Sequence, residues 1–243
     1  MQLLKPEQYA SLHNKYDEKI EYFPIITSVI EQIQQGYIVI QNDTYMIVHK
    51  FGFSYILGDL RNTDNFIQNA KQFISPFVSK LRIYDPNAKL KSDEKLRIYK
   101  STRLKYIYDK KAPHLLKSID IFSIKKSAAD FWSLFGLDLC SRYWNSCHDF
   151  KTKSLGVVNK NGTGICYGAA VVKNFCELDI YVEQSKRNNK TGTNLTEHFC
   201  QNCLQNGITP LWDCYSNNLA SAKLAQKIGF KKLFEYDYYN IEG

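Results

Sequence analysis

The sequence predicts a mixed α/β protein, with a largely antiparallel sheet and helices on its faces. Three observations carry this. Short apolar or alternating runs recur as strands do, among them Tyr37-Ile-Val-Ile40, Phe53-Ser-Tyr-Ile-Leu57 and Cys176-Glu-Leu-Asp-Ile-Tyr-Val182. Between them lie stretches with helical spacing, such as Leu195, Phe199, Cys200, Cys203 and Leu204. Turn residues join consecutive strands, as at Asn42-Asp43 and Asn159-Lys-Asn-Gly162.

Taken in order, the first 35 residues read as helical, with Ile25, Ile26, Val29, Ile30 and Ile33 on one apolar face and Gly36 as a left-handed stop. Tyr37–Ile40 and Tyr45–Val48 form a hairpin, and Phe53–Leu57 a third strand ended by Gly58-Asp59. Asn62-Thr63 offers a cap for a helix running to about Lys80, buried through Phe66, Ala70, Phe73 and Ile74. Leu96–Tyr99 and Leu104–Tyr108 alternate as half-buried strands do, and Ile119–Ile124 is another strand candidate. Ala128 to Tyr143 is apolar and helical in character. Leu155–Val158 and Gly164–Val172 make a hairpin, and Lys173-Asn174 leads into the Cys176 strand. These elements divide the chain into a first lobe, 1–125, and a second, 126–243, with no Gly/Pro linker between them.

The chain has 243 residues, 44% hydrophobic and 23% charged, as soluble globular proteins do. No apolar run approaches the roughly 20 residues of a bilayer span, and the N-terminus lacks a signal peptide's apolar core; the expected location is cytoplasmic. Seven cysteines in mostly apolar surroundings fit buried, reduced thiols better than a disulfide framework. Cys200-x-x-Cys203, with His198 nearby, lacks the further ligands a structural zinc site needs, so no metal is expected. The formal net charge is +8, and between Lys80 and Lys126 fourteen Lys/Arg face five Asp/Glu. Such a tract attracts nucleic acid, an anionic cofactor or an acidic partner, or forms a solvated basic surface.

The richest stretch runs from Cys176 to Phe230. The loop Arg187-Asn188-Asn189-Lys190-Thr191-Gly192-Thr193 follows a strand and opens a helix. That geometry gathers free backbone N–H groups and the positive end of a helix dipole, which together bind phosphate. Arg187 and Lys190 add charge, Gly192 admits close approach, and Thr191 and Thr193 add hydroxyl donors. Next come the strand Thr209–Cys214 and a helix with Ser221, Leu224, Ala225 and Ile228 on one face. Asn217 and Asn218 are good caps for it, and Gly229 is its stop. Glu177 and Asp179, two residues apart, share one face of their strand.

Strand, Arg187-x-x-Lys190-x-Gly192 loop, helix, strand and Asn218-x-x-Ser221 closing on Gly229-Phe230 resemble the core of the GCN5-related N-acetyltransferases, the GNAT superfamily. Pro210-Leu-Trp-Asp-Cys214 with Asn218-x-x-Ser-x-x-Leu-Ala-x-Lys-x-Gly-Phe230, and Phe51-Gly-Phe-Ser-Tyr-Ile-Leu-Gly58 in the first lobe, are similar to the branch that includes the zwittermicin A resistance acetyltransferase. The resemblance implies the GNAT fold, with a degenerate GNAT-like N-terminal lobe on the acceptor side and an acetyl-CoA-binding C-terminal domain. It implies transfer of acetyl from acetyl-CoA to an amine, by direct attack in a ternary complex. Ile180 and Val182 would pair through their backbones with the pantetheine arm, the amides of 187–193 would cradle the pyrophosphate, and Asn218, with Ser221, would contact the cofactor. A backbone N–H near Ile180 would polarise the acetyl carbonyl.

A base must accept the amine's proton, for which Glu177 and Asp179 are the candidates and Asp213 a weaker one. The family's usual Tyr acid is replaced by Ala225. Tyr215 is the leading substitute, with Tyr236, Tyr238, Tyr239 and water as alternatives. Two departures, Lys190 for glycine and Ala225 for tyrosine, leave open a non-catalytic, nucleic-acid-binding or regulatory protein on the same fold. The acceptor branches likewise between a small amine and a protein or RNA.

Overall fold

The turn at Asn42-Asp43 joins β2 (Gly36–Gln41) to β3 (Thr44–His49), with Asn42 in the left-handed region at φ 54°. A computed structural model describes residues 1–58, 63–91, 97–109, 121–124, 139–187 and 189–241. The described residues form two compact units, 1–103 with 215–217 and 235–243, and 104–214 with 218–234. The expected boundary between 125 and 126 lies outside the described residues.

In the first unit the strands run β1 (Gln2–Leu3), β2, β3, β4 (Phe53–Leu57) and β5 (Leu81–Asp85), followed by the end of β12 (Phe230–Ile241). All pairs are antiparallel except β4 with β5. The amphipathic α2 (Thr63–Ile74) closes a core of Val39, Met46, Ile56, Ile83 and Tyr239 through Phe66, Ile67, Ala70 and Ile74.

Several expectations are corrected here. The first 35 residues are not one helix: short 3-10 segments precede α1 (Pro24–Ile30), whose seven residues are all buried. Pro24 sets where α1 begins. Gly36 has no positive φ and begins β2; a Cβ there would lie 2.5 Å from Val29 Cγ2 and from the Val48 carbonyl, so close approach is what it provides. Phe73 is exposed, because the buried stripe of α2 is centred toward Ile67. The α2 helix ends at Ile74, not near Lys80. β5 lies within the tract read only as basic. The expected strands at 96–99 and 104–108 are one, β6 (Ile98–Tyr108). Asp59, the Asn62 cap, Leu96, residues 119–120 and the helix over 128–138 lie outside the described residues.

The second unit holds the strand order β6, β11 (Thr209–Tyr215), β10 (Phe175–Val182), β9 (Gly164–Val172), β8 (Gly156–Asn159) and β7 (Ile121–Ser123). Here α3 (Leu139–Tyr143) and α4 (Cys147–Lys153) precede β8, α4 capped by the Ser146 hydroxyl, which accepts from the Asp149 N–H. Then α5 (Thr191–Gln205) buries Leu195, Phe199, Cys200 and Cys203, and α6 (Leu219–Ile228) buries Ala222, Ala225 and Ile228 in the same core as Trp212 and Phe230. Gly229 stops α6 at φ 116°.

Cys140 and Cys147 are disulfide-bonded, which corrects the expectation of reduced thiols throughout; the other five cysteines form no disulfide and are buried. No described helix is long and apolar enough to cross a membrane.

Candidate active site: a cleft between two diverging strands

β10 and β11 pair in parallel only from Phe175–Glu177 to Thr209–Leu211. Beyond Glu177 the strands part, while β10 stays paired with β9 as far as Val182. The parting opens a cavity of about 510 Å³. Its floor is the end of β10, with Ile180, Tyr181 and Val182, and Trp212 of β11. The N-terminus of α5 and one face of α6 close it.

At the α5 end stand Arg187, Lys190, Gly192 and Thr193. Lys190 caps α5 from the left-handed region, at φ 59° and ψ 1°. The resembled family carries glycine at this position, and the backbone here is one that glycine adopts without strain. An added Cβ at Gly192 would be in ordinary contact with Ile180, Leu224 and Val182, at 3.7–3.8 Å. Asn189 is exposed on the loop, and Thr191 turns toward Gly164; neither is among the described lining residues. Asn188 lies outside the described residues.

Along α6, Asn218, Ser221, Leu224 and Lys227 recur at intervals of three and line the cavity. Asn218 is also the helix cap, accepting the Ser221 N–H at 3.2 Å. The Ser221 hydroxyl accepts the Trp212 indole N–H at 3.0 Å, which fastens α6 to β11. Sequence reading missed Lys227, although its three-residue spacing from Leu224 was available as a signal.

The two candidate carboxylates have different surroundings. Glu177 is buried, with Oε2 3.4 Å from the Lys105 ammonium. Lys105 is wholly buried, not half-solvated as strand alternation suggests, and it also donates to Asp213 Oδ2 at 2.9 Å. Asp179 keeps 28% of its side chain exposed. Its Oδ2 accepts from Tyr143 at 3.2 Å and Tyr167 at 3.0 Å, with the Arg142 guanidinium 3.5 Å away. Burial, then the Asp179 charge, pushes both phenols well above their ordinary range, so they remain donors at neutral pH.

Tyr215 belongs to the first unit, where its ring lies edge-on to Tyr238 and under the Arg103 guanidinium. It is not among the described lining residues. Tyr236, Tyr238 and Tyr239 are buried in that unit. Within the basic tract, Arg82 stacks on Phe51 and Phe53, Lys100 pairs with Asp237 at 2.8 Å, and Arg103 stacks on tyrosines. These three cations are therefore engaged within the fold. Cys200 and Cys203 are core residues, and burial pushes the Cys203 thiol well up.

Residues 18–239 match the family model described as GNAT acetyltransferase. An uncharacterized N-acetyltransferase of Bacillus subtilis, YdfB, is 28% identical over 98% of each chain. Among solved structures, a GCN5-related N-acetyltransferase-like protein of Streptococcus suis superposes with a TM-score of 0.68 at 16% identity, over 97% of this chain and 99% of that one. A putative GNAT-family acetyltransferase of Novosphingobium aromaticivorans gives 0.63 at 12%, over 90% and 96%. A tandem GNAT protein from the clavulanic acid biosynthesis pathway gives 0.59 at 10%, over 99% and 97%.

Proposed function

The chain belongs to the GNAT acetyltransferase family and is an acyltransferase, and from that premise we propose that it carries acetyl from acetyl-CoA to the amine of a small molecule. The observation that carries the reading is the parting of β10 from β11 above a cavity bounded by Arg187, Lys190 and Lys227. Three cations and a helix N-terminus suit a ligand with several phosphates. The unpaired side of β10 suits an amide-bearing arm that can bond to it as a strand would. Gly192 lines the cavity without a side chain, so a ligand can approach the start of α5 closely there.

In this reading the amides of residues 187–193 hold the pyrophosphate, Ile180 and Val182 hold the arm, and Asn218 and Ser221 bound its reactive end. Bound acetyl-CoA supplies an activated acetyl group: the C–N bond to the acceptor forms, the C–S bond breaks, and CoA leaves as its thiolate. Binding both substrates side by side supplies much of the rate. Neither carboxylate is among the described lining residues; Asp179, partly exposed, is the more accessible of the two to an amine's proton, because Glu177 is buried against Lys105. A carboxylate at the acceptor side also favours cationic amines over neutral acceptors. Five buried cysteines outside any disulfide fit a cytoplasmic location, while the Cys140–Cys147 bridge points the other way.

The test is thiol release from acetyl-CoA across a panel of small amines, peptides and RNA. Turnover confined to small cationic amines is the expected result. Turnover confined to peptide or RNA would replace the acceptor assignment.

A further inference from the structure

Past Glu177, one edge of β10 has no strand opposite it, yet two of its polar groups are already bonded. The Glu183 N–H donates to the Thr163 carbonyl, so bonding to β9 falls to the odd-numbered residues, with Tyr181 opposite Ile165 and Asp179 opposite Tyr167. Antiparallel alternation then turns the amides and carbonyls of Ile180 and Val182 away from β9, toward the cleft. There the Ile180 N–H donates to Asp179 Oδ1 at 2.8 Å. The Val182 carbonyl accepts from Arg187 Nε at 3.1 Å. The chain covers its own open edge with two side chains, which gives these half-buried backbone groups partners.

We infer that Asp179 is a gate on the Ile180 amide, which opens for an acylated cofactor and stays shut for free CoA. The inference rests on the cofactor reading above. An acyl carbonyl is an acceptor that can replace Asp179 Oδ1 on the Ile180 N–H, whereas free CoA has only a thiol there. Release of Oδ1 does not set the side chain adrift, because Oδ2 remains held by the Tyr143 and Tyr167 hydroxyls. The freed Oδ1 is then available for the amine's proton. The base is thus uncovered only when an acetyl group is present to be transferred. Differential affinity for the two ligands is what shifts such a two-state contact. Arg187 undergoes the parallel exchange, from the Val182 carbonyl to the ligand's phosphates, and does so for both ligands.

The test compares the dissociation constants of acetyl-CoA and CoA for the wild type, Asp179→Ala and Asp179→Asn. Removing a negative charge strengthens the binding of both anionic ligands alike, so the ratio of the two constants is the readout. Asp179→Ala leaves the Ile180 amide uncovered, and the preference for acetyl-CoA over CoA should rise about tenfold, the size of one hydrogen bond to a charged group. Asp179→Asn keeps an acceptor oxygen and should change the ratio by less than about threefold. An equal change for both ligands in Asp179→Ala would overturn the inference while leaving the cofactor reading intact. Failure of the wild type to bind either ligand would remove both. Should the alanine variant not fold, the backbone amide resonance of Ile180 in the wild type decides: acetyl-CoA should move it and CoA should not, and equal movement by both would overturn the gate.

Discussion

The Lys105 ammonium lies 2.9 Å from the Asp213 carboxylate, and both side chains are almost wholly excluded from solvent. Glu177 completes the group at 3.4 Å, so one buried cation stands between two buried carboxylates. A charge held this way is tolerable only while its partners remain. Lys105→Met should therefore destabilise the protein by about 3–5 kcal/mol, because it removes the cation that stands between two buried carboxylates. Urea unfolding monitored by fluorescence measures this. Adding Glu177→Gln and Asp213→Asn to the same protein should recover much of the loss. A loss below about 1 kcal/mol for Lys105→Met would show that the group is not an electrostatic unit.

Lys190 holds a left-handed conformation at the start of α5 while contributing charge to the cavity. Stability and binding pull in opposite directions there. Lys190→Gly should raise stability by about 1 kcal/mol, since glycine adopts φ 59° without a Cβ clash. The same variant should weaken acetyl-CoA binding several-fold, and by less at high salt, as expected of a lost ion pair. Thermal unfolding and calorimetric titration read the two effects separately.

Gly192 separates space from conformation. Its φ is not in the left-handed region, and a Cβ would meet three side chains at ordinary contact distance. Gly192→Ala should fold normally and bind the cofactor within a few-fold of wild type. Gly192→Trp should fold and lose binding, because the indole fills the space beside Ile180 and Leu224. Equal affinities for the two variants would place the ligand elsewhere.

The helical part of the site was legible because its signals are local. Leu195, Phe199, Cys200 and Cys203 spell the buried face of α5 by spacing alone, and Asn218 and Gly229 mark both ends of α6. The loop expected over 187–193 is shorter than read, because α5 begins at Thr191. Lys105 was not legible: alternation with Leu104 and Tyr106 puts it on the opposite face, and only tertiary structure reveals that Glu177 and Asp213 cover that face too. The same holds for Asp179, whose partners Arg142, Tyr143 and Tyr167 come from separate segments. β5 was hidden because Arg82 and its neighbours read as charge, although Leu81, Ile83 and Tyr84 are buried.

The Cys140–Cys147 bridge closes a short loop that carries Arg142 and Tyr143 to Asp179. Replacing both cysteines by serine should lower stability by about 2.5 kcal/mol, the chain-entropy value for so short a loop. Alkylation of the native protein followed by mass spectrometry should modify none of the five buried thiols. After mild reduction Cys147, the exposed partner, should react first. Rapid modification of a cysteine before reduction would contradict the pairing.

The most direct test of the account is calorimetric titration of acetyl-CoA into the wild-type protein. One site per chain is expected, with an affinity that falls as salt rises because Arg187, Lys190 and Lys227 line the cavity. The site should be lost in Gly192→Trp. No heat of binding at millimolar acetyl-CoA, with the protein folded, would contradict it.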